Sequence, residues 1–399
     1  MESLISQTII NQPITNIGML GSVSDGKSTT VFSLSGVKTQ RHSNEMKRNI
    51  TIKPGYANMK IYERDGVSNV KEDGDLVHHV SFIDCPGHYQ LIVTMMSNIR
   101  LMDGIILVVS AAEPIAMKPQ LIQHMLAIKM SGVNNVIVLL NKLDLISKKV
   151  AMERYDDLVT TLAKYDIIPK KIIPVCMNHM IGTEILLDSI MKYMPPRIKE
   201  DNGDPLFMAS RSFDINHVNI PLDDMVGGVV GGSMVRGSFK VGDIVEISPG
   251  IITTDSMGNI INTPHITTIT SLKSETHSMD SIVTGGLIGI GTNIDPYYCK
   301  NDLMVGMMVG LKGKLPPVYY DIIINYTDIV FDDYVWIKNI GNNIMVISGT
   351  HCVDGKIIQY DNDTISIKLT RPMCIDSMNM IILCDKSKNS FHIVAHGIL

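Results

Sequence analysis

A chain of 399 residues is too long for one ordinary hydrophobic core, so two or three domains are expected. With 45% apolar and 19% charged residues it is neither disordered nor fibrous, and a net charge of −5 excludes a general electrostatic pull toward nucleic acid. Any RNA contact must therefore come from local basic patches. Cys85, Cys176, Cys299, Cys352, Cys374 and Cys384 form no C-x-x-C pair. That argues against a secreted disulfide framework or a zinc knuckle, and the expectation is reduced thiols in a cytoplasmic protein. "MESLISQTII" lacks a basic region and a small-residue cleavage site, so no secretory signal is expected. Apolar runs such as "GIILVVSAA" fall short of the roughly 20 residues that cross a bilayer, so no membrane partner is expected.

From Ile14 to about Pro195, short branched apolar runs alternate with helical patterns. "ITNIGMLG", "HVSFIDCP", "GIILVVSA", "NVIVLLNK" and "KIIPVCM" read as buried parallel strands. Between them, "KSTTVFSLSG", "QLIVTMMSNIRLM", "PQLIQHMLAIKMSG", "AMERYDDLVTTLAKY" and "TEILLDSIMKYM" return apolar residues every three or four positions. This alternation predicts an α/β, doubly wound, mostly parallel sheet with its ligand at the C-terminal strand ends. "PPRIKEDNGDP" reads as a linker, after which period-two runs separated by glycine turns predict a β-barrel. "LKGKLPPV" marks a second break before another small barrel.

Gly21 to Ser28 fits G-x-x-x-x-G-K-[ST] between a strand and a helix. Gly21, Ser24, Asp25 and Gly26 would curl backbone N–H groups around a β-phosphate, and the helix N-terminus would add its dipole. Lys27 would neutralise the β- and γ-phosphates, the Ser28 hydroxyl would ligate Mg²⁺, and Thr29 follows on the same turn. "DCPGH" ends the next strong strand: Asp84 would hold a Mg²⁺-bound water and the Gly87 amide would sense the γ-phosphate. In "NKLD", Asn141, Lys142 and Asp144 follow another strand, and the aspartate would accept the N1 and N2 hydrogens of guanine. A D-x-x-G alone arises by chance about once in any chain this long, but three elements in this order, each closing a strand, define a guanine-nucleotide site. His88, just after D-x-x-G, is placed to orient the attacking water and is the expected catalytic residue. The other histidines, His78 and His79 among them, show no metal-like spacing and read as strand or surface residues, and Asp223–Asp224 reads as a solvated turn.

These motifs, with "RNITIKPGYA" (Arg48 to Ala57) between the first two, closely resemble the gamma subunit family of eukaryotic and archaeal translation initiation factor 2. "RSFDIN", "DDMVGGVVGGSMVRGSFKVGDIVEISPGI" and "GGLIGIGTNIDPYYCKNDLMVGMMVG" extend the likeness to about residue 318, with the last domain only weakly similar. The resemblance implies a P-loop GTPase domain over residues 14–197, a second-domain barrel over 204–313 and a shortened third barrel over 318–399. It implies bound GTP or GDP with Mg²⁺, Thr51 joining Ser28 and Asp84 around the metal, and a first switch in "SGVKTQRHSNEMKRN". The second switch would run from Asp84 through the following helix. The expected activity is GTP hydrolysis by a translation factor that, with alpha and beta subunits, carries methionyl-initiator tRNA to the small ribosomal subunit. Activating and exchange factors would act on it. A Tu-type or selenocysteine-type carrier, or a GTP-binding module that does not hydrolyse productively, are the alternative readings.

Four departures from the family pattern carry consequences. Ser22 and Asp25 replace residues of a "GHVxHGK" loop, and Asp25 lowers nucleotide affinity unless its carboxylate turns away or meets a cation. "VCMN" stands in for a Ser-Ala-x guanine-closing turn, so Cys176, Met177 and Asn178 must close the base pocket through backbone N–H groups around a bulkier Met177. The family's cysteine-rich insert is reduced to "YERDGVSNVKEDGDLVHH", whose Asp-Gly pairs predict a hairpin and which offers no zinc ligand; no zinc is expected. Lys and Arg are sparse after Val318, which predicts weaker, less salt-dependent tRNA contact. The 27 methionines sit mainly in core-like runs and read as packing.

Overall fold

The branched apolar runs pair as the parallel core of a seven-stranded sheet in the computed structural model, which describes residues 2–40, 51–115, 118–196, 203–217, 219–329, 334–387 and 390–399. Part of the expected first switch and of the expected linker therefore lies outside the described residues. The chain divides into two compact units, Met1–Arg197 and Ile198–Leu399.

In the first unit, β1 (Thr15–Leu20), β2 (Gly55–Arg64), β3 (Val67–Asn69), β4 (Asp75–Asp84), β5 (Gly104–Ser110), β6 (Val136–Asn141) and β7 (Lys171–Pro174) lie in the order β3-β2-β4-β1-β5-β6-β7. β4, β1, β5, β6 and β7 run parallel, and every residue of β1, β5 and β6 is buried. Such strands have helices on both faces, which is why they read as continuous apolar runs. β2 departs from the expected pattern: it runs antiparallel to β4, alternating buried and half-buried residues. The predicted hairpin joins it to β3, with Asp65 and Gly66 at φ 51° and 77°, the geometry a two-residue primed turn requires.

The helices are α1 (Glu2–Asn11), α2 (Lys27–Ser35), α3 (Ile92–Ile99), α4 (Pro119–Ser131), α5 (Lys148–Lys164) and α6 (Thr183–Tyr193). Pro119 opens α4, where a missing N–H costs nothing, and the Ser147 hydroxyl caps α5 by accepting from the Val150 N–H at 3.4 Å. Val31 and Leu34 of α2, Leu186 and Ile190 of α6, and Ile17, Phe82, Ile106 and Leu139 of the sheet share one buried cluster. Each such side chain contributes roughly 1.5–3 kcal/mol by leaving water. Among the described residues no helix is long and apolar enough to cross a membrane.

His78 and His79 are buried strand residues rather than surface ones, because each finds a carbonyl. His78 Nε2 lies 2.9 Å from Met194 O, and His79 Nδ1 lies 2.9 Å from Ile9 O, tying α1 to β4. Burial pushes the His78 imidazole from 6.5 down to about 4. The unfolded chain therefore takes up a proton below about pH 6.5 that the folded chain refuses, so this stabilisation is complete above that value and declines toward about pH 4. His78→Gln is expected to flatten the fall in thermal midpoint over that window; an unchanged fall would assign it to other groups.

The second unit is all β, as the glycine-punctuated runs predict. Among the described residues, an eight-stranded antiparallel sheet running from Leu206–Phe213 to Met308–Leu311 and a two-stranded one of Phe239–Lys240 with Ser281–Ile282 enclose a core with Phe207, Phe239, Ile247 and Ile290. Six more strands, from Val318–Asp328 to Ser390–Ile398, close into a barrel around Ile324, Val346, Ile367 and Leu383. The two β modules are joined by the ion pair of Arg236 Nη1 and Asp376 Oδ2 at 3.0 Å and by Tyr320 O–H donating to Asn262 Oδ1 at 2.6 Å. Asp223 and Asp224 are exposed on a one-turn helix, as expected. Met19, Met95, Met96 and Met208 are buried, which accords with the packing reading.

Candidate functional site

The loop from Gly21 to Ser28 leaves β1 and enters α2. It turns on residues in the left-handed region, Ser24 at φ 64° and Gly26 at φ 104°. A side chain at Gly26 would also strike the Asn141 amide, so only glycine serves there. Lys27 folds back over the loop, donating to Gly21 O at 2.9 Å and Ser22 O at 2.8 Å. Burial lowers its pKa, while the Asp84 and Asp25 carboxylates pull the other way.

Asp84, the last residue of β4, gathers the hydroxyls. Ser28 Oγ and Thr39 Oγ1 both donate to its Oδ2 at 2.6 Å, and Ser28 Oγ lies 3.2 Å from Thr51 Oγ1. Gly87 follows so closely on the loop that an added Cβ would sit 2.8 Å from Val23 N. His124 of α4, fully buried, holds the Gly87 backbone from beneath; burial first, then the Lys27 charge, pushes its imidazole down to about 3. A cavity of about 230 Å³ opens above, lined by Val23, Ser24, Gly26, Lys27, Ser28, Thr29, Gln40, Thr51, Gly87, His88 and Lys142. His88, partly exposed, accepts the Gln90 N–H at Nδ1, 3.3 Å away.

Asn141 ties two loops together: its Nδ2 donates to Asp25 O at 3.0 Å, and its Oδ1 accepts the Met177 N–H at 3.1 Å. The Cys176 thiol donates to Asp144 Oδ1 at 2.9 Å, and this bond is the main reason the carboxyl is held below its ordinary range. Asp144 and Asn178 are exposed and, with Cys176 and Met177, stand outside the walls of the cavity.

For two of the sequence departures the geometry meets the conditions that they set. The Asp25 carboxylate meets a cation. Its Oδ2 accepts the Ser22 N–H at 2.9 Å, its Oδ1 accepts the Ser110 N–H at 3.1 Å, and Lys118 pairs with it in an ion pair whose side chains are 1% and 4% exposed. Met177 turns its side chain into the apolar cluster beside Val175 and Leu186 and leaves only its backbone toward Asn141. Lys118, Thr39 and His124 escape a reading by motif. They act from segments whose spacing carries no signature, although the lysine just ahead of Pro119 marks a helix entry.

The profile of the elongation factor Tu GTP binding domain matches residues 12–196, and that of the initiation factor eIF2 gamma C-terminal domain matches residues 336–399. Eukaryotic translation initiation factor 2 subunit 3 of Drosophila melanogaster is 34% identical over 430 residues, covering 99% of this chain and 90% of the relative. Eukaryotic translation initiation factor 2 subunit gamma of Schizosaccharomyces pombe is 34% identical over 426 residues, covering 98% and 95%. The likeness thus extends through the last domain, beyond the weak similarity expected there. The crystal structure of a bacterial selenocysteine-specific elongation factor superposes with a TM-score of 0.76 at 22% identity, covering 97% of this chain, which spans 58% of that one. The elongation factor SelB of Methanococcus maripaludis, solved with a GTP analogue, gives 0.73 at 17%, covering 97% and 79%. At those identities the structures speak for the fold, a GTPase domain followed by β-barrels. With both initiation-factor relatives matched along nearly their whole length, this chain belongs to the gamma subunit family of translation initiation factor 2, and is a GTP-binding initiation-factor subunit of the translational GTPase class.

Proposed function

We propose that this chain, together with alpha and beta subunits, carries methionyl-initiator tRNA to the small ribosomal subunit and releases it on GTP hydrolysis, under the action of activating and exchange factors. One observation carries the reading. Ser28 of the phosphate loop and Thr39, from the start of the expected first switch, converge on the single carboxylate of Asp84 at the head of the second switch, and Thr51 joins them through Ser28. A ligand that draws on these groups together couples the two segments.

The donor set is hydroxyl and carboxylate oxygen alone, which suits Mg²⁺. Ser28 and Thr51 would hold it directly and Asp84 through water; once bound, it would neutralise charge on the β- and γ-phosphates. Lys27, held over the loop by the Gly21 and Ser22 carbonyls, sits where it can turn to phosphate oxygens. Gly21, Ser24, Asp25, Gly26 and Thr29 supply the backbone cradle around the phosphates. Gly87, packed against the loop, is placed to report the γ-phosphate through its amide. Asn141 locks the phosphate loop to the 176–178 turn, Lys142 forms a wall, and Asp144 accepts from guanine. Cys176, Met177 and Asn178 close the base side. His88 stands at the cavity edge to orient a water whose oxygen attacks the γ-phosphorus as the bond to the β-phosphate oxygen breaks.

A module that does not hydrolyse would draw on the shortened last domain, Asp25 and Met177; the Asp25–Lys118 ion pair and the core packing of Met177 weigh against the last two. His88→Ala is expected to leave GTP affinity within about twofold and to slow stimulated hydrolysis at least about tenfold. An unchanged rate would remove His88 from the mechanism. The tRNA reading is tested by filter retention of initiator and elongator methionyl-tRNA, with GTP or GDP, with and without the alpha subunit. GTP-dependent preference for the initiator is expected; equal retention of both defeats the proposal.

A further inference from the structure

Asp144, Cys176 and His179 offer one carboxylate oxygen, one thiol sulfur and one imidazole nitrogen within 4.8 Å of one another. The chain builds this cluster rigidly. Cys176 and Ile181 exchange both backbone hydrogen bonds at 3.1 Å, closing a tight turn, and Met177 is sunk in the core. Residues Met177–His179 form a one-turn 3₁₀ helix with Cys176 as its N-cap, which brings the chain back on itself within three residues. The turn brings the Cys176 sulfur and the His179 nitrogen together, against the expectation from spacing that no histidine here would ligate zinc, and Asp144 already sits 2.9 Å from the sulfur.

We infer that these three residues form a zinc site, with water in the fourth position, that competes with guanine for Asp144. Thiolate, imidazole and carboxylate on a tetrahedral ion is a donor set that zinc favours over magnesium or calcium. Tetrahedral bonds of about 2.0–2.3 Å bring ligand atoms to under 4 Å of each other, a closure within reach of the exposed Asp144 and His179 side chains. On binding, the Cys176 S–H bond breaks, the sulfur–zinc bond forms and the proton passes to solvent; no electron is transferred. The carboxylate oxygen that receives the thiol hydrogen bond then ligates metal, and a guanine edge needing both oxygens loses one acceptor. The metal site stands on its own geometry; the competition rests on the guanine-pocket reading of the preceding section.

Cobalt serves as the spectroscopic probe on nucleotide-free full-length protein. The expected result is one bound Co²⁺ with a thiolate-to-cobalt charge-transfer band, displaced by Zn²⁺, lost in Cys176→Ser, and weakened at least about tenfold in His179→Ala. Zinc is expected to lower GDP affinity at least about tenfold in the native chain but not in His179→Ala. Absence of the band, or its survival in Cys176→Ser, would overturn the site. A band with no effect of zinc on GDP binding would overturn the competition. Protein that shows the band yet binds no GDP in zinc-free buffer would support the metal site and overturn the guanine reading, so the two failures are distinguishable.

Discussion

Replacing Lys118 by Met is expected to destabilise the nucleotide-binding unit by about 3–5 kcal/mol and to weaken GDP binding with it. The Asp25 carboxylate is 1% exposed, and its ion-pair partner among the described residues is the Lys118 ammonium. Two backbone N–H groups, those of Ser22 and Ser110, cannot offset the charge once the ammonium is gone. The carboxylate would then sit buried behind the phosphate loop without its counter-ion, which is the origin of the loss. Asp25→Asn combined with Lys118→Met removes both charges and should recover most of the stability, because an apolar and amide pair of similar volume needs no counter-ion. Chemical denaturation of the single and double variants measures the coupling. If Lys118→Met unfolds at the native denaturant concentration, the ion pair is not what accommodates Asp25.

Changing Asp144 to Asn is expected to lower GTP affinity by about two orders of magnitude and to shift preference toward xanthine nucleotides. The carboxylate would accept two ring-edge hydrogens of guanine, and each bond to a charged group contributes about 1.5–3 kcal/mol. An amide presents one acceptor and one donor, which matches the altered edge of xanthine. Competition between GTP and xanthosine triphosphate for a fluorescent nucleotide reads the shift directly. GTP preference that survives the change would place guanine recognition elsewhere.

The parallel strands were legible because burial on both faces leaves unbroken apolar runs, and the two glycine-punctuated β modules because turns need residues that tolerate positive φ. β2 was missed for the converse reason. Its half-buried face carries Asn58 and Lys60, so "GYANMKIYER" lacks the density of a core strand, and only its alternation marks it. The phosphate loop, Asp84 and "NKLD" could be read because the chemistry fixes both residue type and spacing. Asp25 could not be resolved from its motif, since the lysine that pairs with it lies 93 positions away. Thr39 and His124 reach Asp84 and Gly87 from neighbouring segments, a proximity set by the sheet and not by local pattern. His179 stood in plain view in "CMNH", but its closeness to Asp144 arises only when the two loops meet at the end of the sheet.

The measurement that bears most directly on the central claim is a titration of the purified chain with fluorescent GDP and GTP at millimolar magnesium, repeated with magnesium chelated. Saturable binding of one nucleotide per chain is expected, displaced by guanine but not adenine nucleotides and weakened when magnesium is removed. A chain that binds neither GDP nor GTP under those conditions would contradict the whole account.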